Sequence, residues 1–134
     1  RLDAIQAGML RVELRYLDNE VEKRREIASY YLQNIKNENI ILPTLRAEDN
    51  HVWHLFVIRT SKRDELQKYL LDNGVQTLIH YPIPPHKQDA YKEWKNESYP
   101  ISEQIHDEIL SLPISGVQSL EDTKKIVKIL NDFN

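Results

Sequence analysis

The chain has 134 residues, enough for one domain built around one hydrophobic core. Hydrophobic residues make up 40% and charged residues 29%, as in an ordinary soluble globular protein, and the formal net charge of −3 argues against a general nucleic-acid binder. The sequence contains no cysteine, which excludes disulfides and zinc–thiolate sites and is compatible with a cytoplasmic location. It also contains no apolar run that approaches the length of a membrane span.

The first third of the chain has the pattern of a helix that is already under way at the first residues. The sequence starts at Arg1 without an initiator methionine or a signal-peptide pattern, which favours a fragment of a longer protein. Apolar residues recur every three or four positions at Ile5, Met9, Val12 and Tyr16, and again at Ile27, Tyr31 and Ile35 after an almost wholly charged stretch over residues 18–26. This spacing predicts one long helix over residues 3–36, of the kind that bridges two parts of a larger body or packs against a partner.

Three short segments have the composition of β-strands. Residues 40–43 end in a proline, residues 52–59 are rich in β-branched and aromatic side chains, and residues 75–80 follow Gly74. Together they predict a three-stranded, mostly antiparallel sheet.

Helices are predicted to cover this sheet. The first begins at Ser61, where Asp64 completes a capping-box pattern, and ends at Gly74, which supplies a left-handed turn. A further helix follows Ser119 as its N-cap. The helical segments after residue 80 are residues 87–95, 101–110 and 120–132. The expected fold is therefore a single α/β (α+β) domain over residues 1–134.

The segment from His80 to Gln88 is the most informative for function. Its three prolines stiffen a loop that directly follows a predicted strand and presents His80, Tyr81, His86 and Lys87 at low entropic cost. Polar side chains on a rigid loop suit the recognition of a ligand. A plain proline-rich connection with solvated histidines explains the same pattern equally well.

The histidines do not form a metal-binding pattern. His51 and His54 are three positions apart on a predicted strand, which places them on opposite faces. His80 and His86 are up to about 19 Å apart if the intervening segment is an extended polyproline helix. We therefore predict no metal site.

Lys87 is the one lysine that the sequence suggests as a Schiff-base former. Such a lysine needs desolvation or cationic neighbours to lower its pKa, and the flanking His86 and Gln88 do not clearly supply either. The glycines stand alone, so no phosphate-cradling loop is present. By its residues alone, this chain has no complete active site.

Four motifs in order then carry a family resemblance. They are Arg-Leu-Asp-Ala-Ile-Gln-Ala at residues 1–7, His-Val-Trp-His-Leu-Phe-Val at 51–57, His-Tyr-Pro-Ile-Pro-Pro-His-Lys-Gln at 80–88 and Leu-Ser-Leu-Pro-Ile at 110–114. Together they closely resemble the C-terminal portion of the DegT/DnrJ/StrS family of sugar aminotransferases, and the resemblance covers essentially the whole chain.

This resemblance implies a fold and a cofactor. The family has the fold-type I aminotransferase architecture, in which a large domain holds pyridoxal phosphate on a lysine and the small C-terminal domain corresponds to this chain. The lysine domain lies upstream of Arg1, so we expect no catalytic residue and no bound cofactor in this chain. The family works as a homodimer, so the parent protein is expected to be one.

The resemblance also implies a substrate and its contacts. The parent reaction would move an amino group from glutamate to a keto-sugar nucleotide. The sequence of the 80–88 motif most resembles that of members that act on dTDP-3-keto-6-deoxyhexoses, for lipopolysaccharide or other surface polysaccharide. The substrate-binding residues implied are His80, Tyr81 and His86 near the mouth of the active site. Arg1 is a further candidate, because its guanidinium could reach an anion.

Two other classes of protein stay open. One is a non-catalytic binding or regulatory module that keeps the small-domain fold. The other is a metal-binding or cofactor-binding protein that uses His80 or His86, which the histidine spacing argues against. Neither a nucleic-acid partner nor a membrane is expected.

Overall fold

The computed structural model describes residues 3–45 and 51–134. In this part of the chain the elements are α1 (Ala4–Glu13), α2 (Leu17–Asn34), β1 (Phe56–Arg59), α3 (Arg63–Asp72), α4 (Pro100–Glu108), β2 (Ile109–Leu112) and α5 (Leu120–Asp132). Two 3₁₀ helices, Pro85–Lys87 and Asp89–Trp94, lie between α3 and α4. Among the described residues, no helix has both the length and the apolarity needed to cross a membrane.

The sheet has two strands instead of the predicted three. β1 and β2 are antiparallel, with Phe56 opposite Leu112 and Arg59 opposite Ile109. The predicted strand over residues 52–59 is therefore confirmed only in its second half. At its far end, the Arg59 guanidinium donates two hydrogen bonds to one carboxylate oxygen of Glu108, at 3.1 and 2.7 Å, which joins the end of β1 to the junction of α4 and β2.

The other two predicted strands are reduced to single bridges on either side of this pair. Ile41 bridges Arg59, and Leu78 bridges Ser111, both in antiparallel orientation. The prediction of strands over residues 40–43 and 75–80 is thus wrong in extent, because each segment meets the sheet at one residue and then leaves it. The order across the layer is Ile41, β1, β2, Leu78.

β2 was not predicted, because residues 109 and 110 continue the apolar spacing of the preceding helix. All four of its residues are buried, and a short apolar run without alternation fits a buried strand as well as a helix. The following Pro113 disfavours helical backbone at Leu112, which favours an extended end to the segment. The predicted helix over residues 101–110 is α4, and it ends at Glu108.

The long first helix is divided into α1 and α2. Between them, Arg15 and Tyr16 donate to the carbonyls of Val12 and Glu13, at 3.1 and 2.9 Å, which is the tighter i→i+3 pattern of a 3₁₀ turn. Neither a proline nor a glycine marks this position, so the prediction of one helix over residues 3–36 had no local signal against it. α2 buries Ile27, Ala28 and Tyr31, whereas no residue of α1 is buried.

Two helix ends follow their sequence signals and one does not. Gly74 has φ of 80° and closes the C-terminus of α3, with Val75 donating to Leu70 O at 2.8 Å. Ser119 caps α5 by accepting a hydrogen bond from Asp122 N at 3.0 Å. The predicted Ser61 cap is wrong, because α3 starts at Arg63 without a side-chain cap.

The core lies between the sheet and the faces of α2, α3 and α5. Its buried apolar side chains include Ile27, Tyr31, Trp53, Phe56, Ile58, Leu66, Leu70, Leu110, Ile126, Val127 and Leu130. Tyr31 is fully buried and packs its ring 4.9 Å from that of Phe56. Its hydroxyl donates to Pro113 O at 2.9 Å and accepts from Gln118 Nε2 at 3.0 Å. Burial raises the pKa of Tyr31 to about 12, so the hydroxyl stays protonated over the ordinary pH range.

We expect Tyr31→Phe to lower the free energy of unfolding by about 1–3 kcal/mol, because the partly buried Pro113 O would lose its donor. Urea denaturation followed by circular dichroism measures the difference. Tyr30→Phe is the matched control, since Tyr30 is only partly buried against the same core and its hydroxyl makes no hydrogen bond within the described chain. Equal effects of the two substitutions would contradict the role given to the Tyr31 hydroxyl.

We also expect a solution of this chain alone to show weak self-association or fraying of α1. Ile5 and Met9 on α1 are 72% and 64% exposed, which leaves an apolar face without cover from the described residues. Light scattering reports the association and hydrogen exchange reports the fraying. A monomer at high concentration with full protection of the α1 amides would contradict this expectation.

Candidate functional site

The 80–88 segment is a stiff loop held by its own hydrogen bonds. After the bridge at Leu78, the backbone N–H of Lys87 donates to Pro84 O at 2.9 Å within a 3₁₀ helix. The Gln88 side-chain amide donates to Ile83 O at 3.1 Å. Three prolines also restrict the backbone of this loop, which limits the conformations open to it.

His80 stands at the start of this loop, beside the sheet. Its Nδ1 lies 2.9 Å from Ser111 Oγ on β2, and its ring meets the edge of Tyr81 at a centroid distance of 5.7 Å. His80 borders a cavity of about 190 Å³, whose lining also includes His54, Thr77 and Ser111. A half-buried imidazole with one nitrogen anchored can therefore offer its other nitrogen to a ligand.

Tyr81 is the most solvent-facing residue of the candidate site. Its side chain is 70% exposed, and no described residue hydrogen-bonds to its hydroxyl. A phenol hydroxyl can both donate and accept a hydrogen bond. Tyr81 and His80 together therefore place an aromatic surface and two polar groups at one position on the chain.

His86 does not share this position, because it is buried in a separate cluster. It is only 4% exposed, its Nε2 donates to Glu103 Oε1 at 2.8 Å, and its ring lies edge-on to Tyr99 at 4.9 Å. Glu103 Oε1 also accepts the Tyr99 backbone N–H at 3.1 Å at the start of α4. His86 thus attaches the 80–88 loop to α4, and its predicted contact with a substrate stays a prediction.

Glu103 is held in its charged form by this cluster. The Tyr99 N–H bond is the largest cause that lowers the pKa of Glu103 below its ordinary value, followed by the hydrogen bond from His86, and the charge of Lys87 adds to the shift. The Lys87 ammonium lies 3.8 Å from Glu103 Oε1.

Lys87 does not fit the role of a cofactor-binding lysine. Its Nζ donates to the backbone oxygens of Lys95 and Glu97, at 3.1 and 3.0 Å, and its side chain is 37% exposed. These contacts occupy the Lys87 Nζ within its own loop, whereas a Schiff-base lysine must reach the cofactor with a free amine. Lys87 therefore stabilises the loop after residue 88 instead of presenting a nucleophile.

Arg1 and the histidines near β1 are not part of the 80–88 loop. Arg1 lies outside the described residues. His51 precedes β1 in a loop, where its Nδ1 accepts the Trp53 N–H at 2.9 Å, so the opposite faces predicted for His51 and His54 on a strand do not apply. Within residues 3–45 and 51–134, no three His, Cys, Asp or Glu side chains are grouped to hold a metal ion.

The sequence did not indicate three residues near the candidate site. They are Ser111, Glu103 and His54, the last of which lines the same cavity as His80. Ser111 was hidden because β2 was predicted as the end of a helix. A signal did exist, since Ser111 is a lone polar residue in the apolar run Ile109–Leu112, and a buried hydroxyl needs a partner. No local pattern could have paired His86 with Glu103, because their contact depends on how the loop folds back onto α4.

The fold and these motifs identify the class of protein as an aminotransferase domain. A model of the DegT/DnrJ/EryC1/StrS aminotransferase family matches residues 1–131. The chain therefore belongs to this family. Its backbone is similar to that of DesV from S. venezuelae, solved in complex with a ketimine intermediate, with a TM-score of 0.93, 35% identity, and coverage of 98% of this chain and 36% of that chain.

Two relatives show how broad the family's described roles are. The chain is 56% identical over 133 residues to dTDP-3-amino-3,6-dideoxy-alpha-D-galactopyranose transaminase of Aneurinibacillus thermoaerophilus, covering 99% of this chain and 37% of that protein. It is 42% identical to the erythromycin biosynthesis sensory transduction protein EryC1 of Saccharopolyspora erythraea, covering 97% of this chain and 36% of that protein. The chain thus spans little more than a third of either relative.

The His86 cluster predicts a measurable titration. In the folded protein the pKa of Glu103 lies below the ordinary 4.5, so its contribution to stability is present above pH 4.5 and is lost as the pH falls through the lowered pKa. We expect His86→Ala to raise the pKa of Glu103 part of the way back, because the Tyr99 N–H bond remains. A carboxyl-detected NMR titration measures this, with Lys124→Ala on the exposed side of α5 as the control. An unchanged Glu103 titration in His86→Ala would refute the coupling.

Proposed function

We propose that this chain is the C-terminal small domain of a longer, pyridoxal-phosphate-dependent aminotransferase that acts on nucleotide sugars. The observation that carries the proposal is the family match over residues 1–131, combined with 56% identity to a sugar-nucleotide transaminase. The amino donor is glutamate. The parent protein is a cytoplasmic homodimer.

The proposed acceptor is a dTDP-3-keto-6-deoxyhexose, which becomes a 3-amino-3,6-dideoxy sugar for surface polysaccharide. Support comes from the name of the Aneurinibacillus relative, which contains dTDP, a 3-amino group and a 3,6-dideoxyhexose. A transaminase forms an amino sugar from the corresponding ketone, so that name defines the ketone. The amino-acid sequence of the 80–88 loop is the second support, because it resembles that of family members that act on such sugars.

In this proposal His80 and Tyr81 contact the nucleotide sugar. The Nε2 of His80 and the hydroxyl of Tyr81 have no hydrogen-bond partner among the described residues. Tyr81 is 70% exposed, and the half-buried His80 borders a cavity. Sugar hydroxyls and phosphate oxygens accept and donate the same hydrogen bonds as these groups. Arg1 is proposed to contact an anionic group of the substrate, while His86 takes part through the shape of the loop.

The cofactor belongs to the longer protein. Pyridoxal phosphate, when bound there, supplies the electron sink that lets an amino group move between donor and acceptor. The residues of this chain bind and orient the sugar, and they shield one side of it from water. No described lysine is assigned to the cofactor, since Lys87 does not fit.

A second candidate is a non-catalytic regulatory module with the same fold. The observation that favours it is the name of the Saccharopolyspora relative, a sensory transduction protein. It differs from the enzyme in one testable respect, because a regulator need not turn over a keto-sugar.

The test compares the full-length parent protein with this chain in a glutamate-dependent amination of a dTDP-3-keto-6-deoxyhexose. We expect turnover by the parent and none by this chain, and borohydride is expected to trap pyridoxal phosphate on the parent alone. Absence of turnover by the loaded parent would favour the regulatory module. Trapping on this chain would overturn the assignment of the cofactor to the longer protein.

Within the parent, we expect Tyr81→Phe and His80→Ala each to raise the KM for the sugar nucleotide about tenfold, because each removes one hydrogen bond to a polar or charged ligand. The KM for glutamate should stay unchanged. Lys124→Ala is the control for nonspecific effects. Changes confined to the glutamate KM would contradict the assignment of these two residues to the nucleotide sugar.

A further inference from the structure

Ser111 is a polar residue in a position that the sheet fixes from both sides. It is 5% exposed and lies opposite Val57 in the β1–β2 ladder. On its other side it exchanges hydrogen bonds with Leu78, at 2.8 Å from Ser111 N to Leu78 O and 3.4 Å from Leu78 N to Ser111 O. The hydroxyl therefore projects from backbone that cannot shift without breaking the sheet.

The partner of this hydroxyl is the imidazole of His80. Ser111 Oγ and His80 Nδ1 lie 2.9 Å apart, and no other described group hydrogen-bonds to either atom. A neutral imidazole carries one hydrogen, so this contact has two forms. Either Nδ1–H donates to Oγ, or the serine O–H donates to Nδ1 and the ring hydrogen is on Nε2.

The two forms differ in what they leave unpaired. If Nδ1–H donated, the hydrogen of the buried Ser111 hydroxyl would have no acceptor among the described residues, and a buried donor without a partner is costly. If the serine donates, its only hydrogen is used and the imidazole hydrogen lies on Nε2, at the edge of the ring away from Ser111. The second form uses the hydrogen of the buried Ser111 hydroxyl and leaves the unpaired hydrogen on the half-buried imidazole instead.

We propose that Ser111 is a positioning residue that orients His80 and keeps its hydrogen on Nε2. His80 then presents a fixed N–H donor beside the cavity of about 190 Å³ that both residues line. The group it suits is a hydrogen-bond acceptor, such as a phosphate or carbonyl oxygen of the nucleotide sugar. This inference rests on the proposed function for its ligand, although the Ser111–His80 contact does not.

The tautomer of His80 tests the inference without any activity measurement. In the full-length parent protein labelled with ¹⁵N-histidine, long-range ¹H–¹⁵N correlation shows which ring nitrogen carries the hydrogen. We expect Nε2–H in the unmodified protein and a mixture of the two tautomers in Ser111→Ala. Thr77→Val is the matched control, because Thr77 lines the same cavity and its hydroxyl has no partner among the described residues. Nδ1–H in the unmodified protein would overturn the proposal.

A kinetic cycle separates positioning through His80 from a general structural effect. We expect Ser111→Ala to raise the KM for the dTDP-keto-sugar about fivefold, to leave the glutamate KM unchanged, and to have less than a twofold effect in a His80→Ala background. Ser111→Thr keeps the hydroxyl and should restore the parental KM. An equal effect of Ser111→Ala with and without His80 would overturn the proposal. Failure of the parent to turn over any keto-sugar would sink the proposed function, and the tautomer experiment would still decide the role of Ser111.

Discussion

The antiparallel pairing of β1 and β2 is the constraint on which the rest of the domain depends. It joins two short segments that are far apart in sequence, with Phe56 opposite Leu112, and the Arg59–Glu108 ion pair closes its far end. All of the chain between these strands, including α3, the 80–88 loop and α4, must leave and return within this frame. Because β2 also bridges Leu78, the pairing sets the position of Ser111 beside His80.

The same frame holds the side chains that we propose contact the nucleotide sugar. Proline limits the loop backbone, the buried His86–Glu103 hydrogen bond attaches the loop to α4, and the Ser111 hydroxyl anchors His80. Tyr81 is left exposed between these attachments. The ordering cost of these side chains is met when the domain folds, so little of it would remain for the binding of the proposed substrate.

Features that depend on neighbouring residues could be predicted from the sequence better than contacts between residues that are far apart in it. Two local signals are confirmed, the Ser119 cap of α5 and the left-handed Gly74 that ends α3, whereas the equally local capping pattern at Ser61 is not. The strand β2 was missed because a fully buried strand has no alternation, and α1 and α2 were joined because no residue marks the turn between them. The prolines indicate the loop that carries His80 and Tyr81. Only the fold, however, brings Ser111 to His80 and Glu103 to His86.

The proposed function requires the loop beginning at His80 to contact a nucleotide sugar in an aminotransferase of which this chain is one part. A crystal structure of the full-length parent with a dTDP-sugar bound tests it most directly. We expect His80 Nε2 and the Tyr81 hydroxyl at about 2.7–3.2 Å from ligand oxygens, with Ser111 Oγ still hydrogen-bonded to Nδ1. A dTDP-sugar bound away from this loop, with both groups facing water, would contradict this placement of the substrate.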